Sequence, residues 1–214
     1  MKEFKFKEIT KILLDIAVDF GKKGKGSFFV ITNSDISKHY CNLYPDLFGD
    51  KDISIRDKET LPLIKKLAEL DGAIIVNKDG KIITYGAEIL VAVLLKGHGT
   101  RHNAAFGISK FPDTTVITSS EEDGCVRIFK EGIPLVEINP HTKVSPKLSE
   151  KIASFLSSES IPLLSSGGIA SIALGINPLM AVIVFAGSYV ITKKGIVSIN
   201  RFLRSGKFLK DEAK

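Results

Sequence analysis

Three short polar segments interrupt an otherwise apolar chain: Asp71-Gly72-Ala73, Gly99-Thr100-Arg101-His102-Asn103-Ala104-Ala105 and Ser119-Ser120-Glu121-Glu122-Asp123-Gly124. Each carries side chains able to hold a phosphate or a cation. The second is the most specific. It opens a helix-compatible stretch running to Ile108, so Arg101, His102 and Asn103 fall near a helix start. Free backbone N–H groups, the positive end of the helix dipole and a guanidinium fork together favour a bound phosphate there. A cation at that position is unfavourable for the helix itself, and an anionic ligand would give Arg101 its reason. His102 could ligate a metal or orient a phosphate, although a lone histidine is more often a satisfied structural residue.

Asp71 stands at the mouth of the β-branched run Ala73-Ile74-Ile75-Val76. A charge buried without a partner is costly, so this carboxylate is poor packing material. Gly72 permits close approach of backbone or ligand, and Ala73 adds no bulk. Taken alone, the triplet reads more simply as an ordinary turn. Glu121 and Glu122 follow the strand-like Thr114 to Thr118, and strand ends are favoured ligand sites in α/β proteins. For Glu122 and Asp123 a charged turn before the next strand is the simpler account.

The elements that must position these residues can be read from periodicity. Ile9, Ile12, Leu13, Ile16, Ala17 and Phe20 lie at helical spacing and predict an amphipathic helix over 7–20. Residues 27–32 read as a strand and 60–70 as a second helix leading into Asp71. Residues 73–76 and 81–85, separated by Asn77-Lys78-Asp79-Gly80, read as a hairpin. Residues 88–95 fit a helix or a buried strand equally. Strands over 114–118, 125–130 and 133–138 complete a mixed central β-sheet flanked by helices, an α/β fold.

Composition narrows the classes without choosing one. The chain of 214 residues is long enough to bury a full core. Its net charge of +6 would suit nucleic acid, but the excess is spread between Lys22-Lys23-Lys25 and the tail from Lys193, with no basic run interleaved with aromatics. Nucleic acid is therefore not an expected partner. Cys41 and Cys125 are far apart and in no metal-like spacing, which reads as reduced thiols in a cytoplasmic protein. The first residues are charged throughout and lack the apolar core of a signal peptide.

In order and wording, the three motifs resemble the diadenylate cyclase (DAC) domain, and the likeness covers roughly residues 10–140. Leu70-Asp71-Gly72-Ala73, the stretch Gly21 to Val30 and Val126 to Gly132 are closest to archaeal members. The resemblance implies condensation of two ATP into cyclic di-AMP, with release of pyrophosphate, between two subunits facing each other. It implies Asp71, Arg101 and His102 as catalytic residues, and Gly72, Ala73, Gly99, Thr100, Arg101, His102, Asn103, Ser120 and Glu121 as ATP-binding. It further implies Mg2+ or Mn2+ held by Asp71 and Glu121, and a homodimer or higher homo-oligomer. One departure stands out: Asn103 occupies the place of the second arginine of the family's Arg-His-Arg motif. An unreplaced charge-assisted contact would cost about 1.5–3 kcal/mol, so Lys96, Lys110 or a metal is expected to compensate. A degenerate ATP-binding regulatory module without cyclase activity is the second reading.

The domain boundary is expected at residue 142, with 143–214 forming an apolar C-terminal helix or hairpin extension with a basic tail. A short helix is predicted over 147–156. Residues 160–192 carry no charge, which is long enough to cross a bilayer and allows membrane association, but Pro162, Gly167, Gly168, Gly175, Pro178 and Gly187 interrupt them. A single span would separate an ATP-using domain from the Lys/Arg-rich tail, against the positive-inside rule. Two shorter pieces meeting at Asn177-Pro178 reconcile the two, either as a membrane-dipping hairpin or as a buried helix followed by a strand over 181–191, and a turn at Lys193-Lys194-Gly195 favours the soluble form.

Overall fold

The computed structural model describes residues 2–44, 52–91, 93, 99–139, 145–157 and 182–183. Along the chain these form α1 (Lys2–Lys22), β1 (Ser27–Ile31), β2 (Tyr40–Asn42), α2 (Leu61–Leu67), β3 (Ala73–Val76), β4 (Ile82–Ile89), α3 (Thr100–Ile108), β5 (Thr115–Ser119), β6 (Val126–Lys130), β7 (Ile133–Ile138), α4 (Pro146–Ser157) and β8 (Val182–Ile183). The strands make one mixed sheet in the order β2-β4-β3-β1-β5-β6-β7-β8. Strand β1 runs parallel to β3 and antiparallel to β5, and the other pairings are antiparallel.

Both faces of the central strands are apolar, and their alternation divides the core in two. Phe29 and Ile31 of β1, Ile74 and Val76 of β3, Ile117 of β5 and Val126 and Ile128 of β6 point to one face, where α1, α2 and α4 cover them. Phe28 and Val30, Ala73 and Ile75, Val116 and Phe129 point to the other, where Ala105 and Ile108 of α3 pack. Side chains alternate with a period of two along a strand, so one β-branched run fills both layers. The result is an α/β sandwich in which, among the described residues, α3 is the α-helix on the face that carries the second polar motif.

Most expected elements form with shifted ends. Helix α1 extends the predicted 7–20 in both directions, and α2 is shorter than 60–70 because it ends at Leu67 and residues 68–70 are turn, while a 3-10 turn, Lys58–Thr60, precedes it. The hairpin forms, and β4 continues as far as Ile89, so residues 88–89 are strand and not helix. Strand β7 matches 133–138. Helix α4 lies beyond residue 142, yet its Ile152, Phe155 and Leu156 join the cluster under α1. Of the apolar stretch 160–192, only Val182 and Ile183 are described, paired with Ile138 and Glu137 of β7; the rest lies outside the described residues. Among the described residues no helix is long and apolar enough to cross a membrane.

The Asp-Gly-Ala segment sits at a distortion of the sheet. The β3–β4 register slips between Ala73↔Ala87 and Ile75↔Thr84, and again before Val76↔Ile82. Gly72 (φ +93°) lies against this slip, and a Cβ added there would meet the backbone carbon of Gly86 at 2.5 Å. Backbone cannot yield as a side-chain tip can. Gly72→Ala is expected to cost about 3 kcal/mol through the left-handed φ and the clash, a fall in Tm of roughly 6–12 °C in thermal unfolding followed by circular dichroism. A fall below 2 °C would show that β3 and β4 can separate freely at this point.

Candidate active site

The polar motifs converge because of strand order. Ser27 at the start of β1 pairs with Ser119 at the end of β5. Continuing the β1–β3 register back from Phe29↔Ile74 brings Ser27 opposite Gly72. The starts of β1 and β3 and the end of β5 therefore share one edge of the sheet, with β1 in the middle. Asp71 and Ser120 stand at that edge about two strand spacings apart, roughly 10 Å.

Above the end of β5 lies the start of α3. Gly99 is its N-cap with extended backbone and, having no side chain, makes no cap bond to the first turn, whose leading N–H groups have no intrahelical partner. A cleft of ≈190 Å³ opens here, lined by Gly99, Thr100, Arg101, His102, Ser120, Glu121 and Glu122. Arg101 Nη1 donates to Glu121 Oε1 at 2.9 Å across the cleft. This pair passes directly over Gly26, where an added Cβ would lie 1.7 Å from Arg101 Nη1 and 2.6 Å from Glu121 Oε1. The glycine before β1 is thus the opening through which the guanidinium reaches the acidic loop.

That loop is held as a closed turn. Ser120 Oγ accepts the N–H groups of Glu122 (3.2 Å) and Asp123 (3.3 Å), while the Ser120 carbonyl accepts from Gly124 N–H at 3.1 Å. The Ser120 hydroxyl in turn donates to the Asp123 carboxylate, which helps to lower that carboxyl. Asp123 turns away from the cleft: its Oδ1 accepts the Cys125 N–H at 2.9 Å and its Oδ2 pairs with Arg127 Nη2 at 2.6 Å. Burial raises the Asp123 carboxyl, but the hydrogen bonds from Arg127 and the Cys125 N–H overcome this and hold it well below the usual carboxylate range.

Arg127, in the middle of β6, is buried and also donates from Nε to Glu137 Oε2 of β7 at 2.6 Å. Its Nη1 lies 2.9 Å from His102 Nε2. A guanidinium has no lone pair to offer, so Nε2 is the acceptor and the ring proton sits on Nδ1.

The expected site residues therefore divide into two groups. Gly99, Thr100, Arg101, His102, Ser120 and Glu121 share the cleft. Asp71, Gly72 and Ala73 lie at the same sheet edge without lining it, and Asp71 is exposed, with no ion-pair partner among the described residues. Asn103 is buried on the first turn of α3, its carbonyl accepting the Val93 N–H at 3.3 Å, and it does not line the cleft. Lys110, expected as a compensating cation, is at the far end of α3 with its ammonium 4.9 Å from the Phe106 ring centre. Lys96 lies outside the described residues. Sequence reasoning missed Gly26 and Arg127. A charged residue inside the apolar run Cys125 to Phe129 was the available signal for Arg127.

Among the described residues no cluster of three or more His, Cys, Asp or Glu side chains could hold a metal ion. The exposed carboxylates of Asp71 and Glu121 fit a hard cation of another kind, one that takes most of its ligands from phosphate oxygens and water.

Residues 17–133 match the family model described as "DAC: DisA bacterial checkpoint controller nucleotide-binding". The chain is 30% identical over 149 residues to a diadenylate cyclase of Methanocaldococcus jannaschii, covering 65% of this chain and 48% of that protein. It is 28% identical over 142 residues to a diadenylate cyclase of Haloferax volcanii, covering 62% and 53%. The chain thus spans about half the length of the curated relatives it matches, and their archaeal origin agrees with the wording of the motifs. Among solved structures, a double mutant of DacA from Staphylococcus aureus aligns over 68% of this chain and 92% of its own at 19% identity, with a TM-score of 0.46. A hypothetical membrane spanning protein from Bacillus cereus aligns over 57% and 60% at 21% identity, with a TM-score of 0.45.

Proposed function

Since the chain belongs to the DAC family of nucleotide-binding domains, we propose that it is a diadenylate cyclase that condenses two ATP into cyclic di-AMP. The 3′-hydroxyl oxygen of each ATP forms a bond to the α-phosphorus of the other, the α–β phosphoanhydride bond breaks, and two pyrophosphates leave with the two hydroxyl protons. Catalysis of this kind is mostly positioning and charge neutralisation.

The observation that carries the reading is the Arg101–Glu121 pair spanning one cleft at a helix start. A guanidinium suited to phosphate and a carboxylate suited to a cation neutralise one another there. In the proposed complex the triphosphate takes Arg101 and the N–H groups of Gly99 and Thr100, beside Ser120 in the same cleft, and Glu121 is released. Asp71, at the same sheet edge, accepts the 3′-hydroxyl proton, with Gly72 and Ala73 leaving room for the nucleotide. Mg2+ or Mn2+, held by Asp71 and Glu121 with phosphate oxygens, would neutralise charge developing on the phosphates. His102 borders the phosphates in its neutral form.

The cleft is smaller than the roughly 300–1,000 Å³ of a typical complete small-molecule site. This supports a half-site that a second copy of the chain completes, so the working form is a homodimer or a larger homo-oligomer. Asn103 motivates the alternative of a nucleotide-binding module without turnover, but its burial outside the cleft lining favours the active reading.

Incubation of the protein with ATP and Mg2+ or Mn2+, followed by chromatographic separation of nucleotides, is expected to yield cyclic di-AMP and pyrophosphate. Specific activity should rise with protein concentration and vanish with a chelator. Consumption of ATP to ADP or AMP alone, or binding without product, would overturn the reading.

A further inference from the structure

Arg127 is the most heavily engaged buried charge among the described residues. Its side chain is 11% exposed and lies between Asp123 on the acidic loop and Glu137 on β7, and its guanidinium meets His102 on α3. The Arg101–Glu121 cleft does not need it as a phosphate ligand. Two carboxylates neutralise its charge, and its Nη1 is shared between His102 Nε2 at 2.9 Å and Asp123 Oδ1 at 3.4 Å.

A buried guanidinium with two carboxylates is weak evidence for stability, because the desolvation cost offsets the attraction. Its specific consequence here is geometric. The planar fork presents donors in fixed directions, so one side chain joins two segments that both border the cleft. It pins the acidic loop through Asp123, and it fixes the plane and tautomer of His102 through Nη1. A lysine could offer the charge but not the simultaneous fork.

We propose that Arg127 is the positioning residue of this site, holding His102 as the neutral Nδ1–H tautomer and setting the acidic loop against the start of α3. The inference rests on the cyclase reading for what the site does, while the tautomer is a property of the protein without substrate. His102 and the loop then present a fixed surface to the triphosphate, and substrate binding does not have to order them.

The test uses the full chain with ¹⁵N-labelled histidine, at one pH, together with turnover. In the native protein the His102 ring nitrogens should show a protonated Nδ1 and an unprotonated Nε2 by long-range ¹H–¹⁵N correlation. In Arg127→Met that signature should be lost, kcat should fall about 10–100-fold, the range for removing a group that orients a functional histidine, and KM for ATP should move less than about threefold. Arg127→Lys should keep the fold and restore neither the tautomer nor kcat. Should Arg127→Met fail to fold, Arg127→Met with Glu137→Gln, which removes one stranded carboxylate, carries the same measurements. A His102 that keeps its Nδ1–H tautomer and a kcat that stays within twofold in any folded variant would overturn the proposal. If the native protein makes no cyclic di-AMP, the cyclase reading fails, and the nitrogen spectra still decide the role of Arg127.

Discussion

Asp71→Asn is expected to lower the rate of cyclic di-AMP formation by about 10²–10⁴-fold, the usual contribution of a positioned proton acceptor, while the protein folds as before. The substitution is nearly isosteric. Asp71 is exposed and, among the described residues, carries no ion pair, so Tm should change by no more than a degree or two. ATP affinity by titration calorimetry should stay within about tenfold, because the phosphate-facing groups belong to the other side of the sheet edge. Loss of turnover with fold and binding retained isolates the chemical role of the carboxylate. A rate within tenfold of the native protein would remove Asp71 from the mechanism and leave it as a turn residue.

Gly26→Ala should weaken ATP binding about 10–150-fold, as much as the loss of one charge-assisted contact worth about 1.5–3 kcal/mol. The new methyl group would occupy the position of the Arg101 guanidinium, whose tip is free to move aside. Stability is therefore spared, in contrast to Gly72→Ala, where the clash is with backbone. Arg101→Ala should give a similar loss of affinity, and the two substitutions together should give little more than either, since both remove the same contact. Affinity of Gly26→Ala within threefold of native would show that the guanidinium serves equally well from another position.

Much of this could be read from residue types and spacing. The stripe from Ile9 to Phe20 could hardly be other than a helix, and the punctuation at Asn77 to Gly80 made the β3–β4 hairpin readable. The start of α3 was readable because Gly99-Thr100 precedes a helical pattern. Strand order was not, since periodicity says which residues share a face but not which strands are neighbours. Only the insertion of β1 between β3 and β5 reveals that Gly26 adjoins Arg101, and that Asp71 stands off from the cleft by a strand. Arg127 was hidden for a related reason: its meaning comes from His102 on a helix and Glu137 on the next strand, neither at a spacing that local pattern detects. Asn103 drew attention as a missing charge, and its burial could not be foreseen from the motif alone.

The packing of α1 against α4 has a consequence for how the chain comes to be folded. The Lys7–Glu150 pair that bridges the two helices joins positions 143 residues apart. At synthesis rates of about 5–20 residues per second, that interval is roughly 7–30 s. Helix α1 is the first described element to emerge, and α4 follows strands β1 to β7. Throughout that wait part of the apolar stripe of α1 has no cover, so the order in which the core can close is the reverse of local assembly. Folding of this kind is slow and exposes sticky surface, and the nascent chain should depend on holding factors at the ribosome more than its modest size suggests.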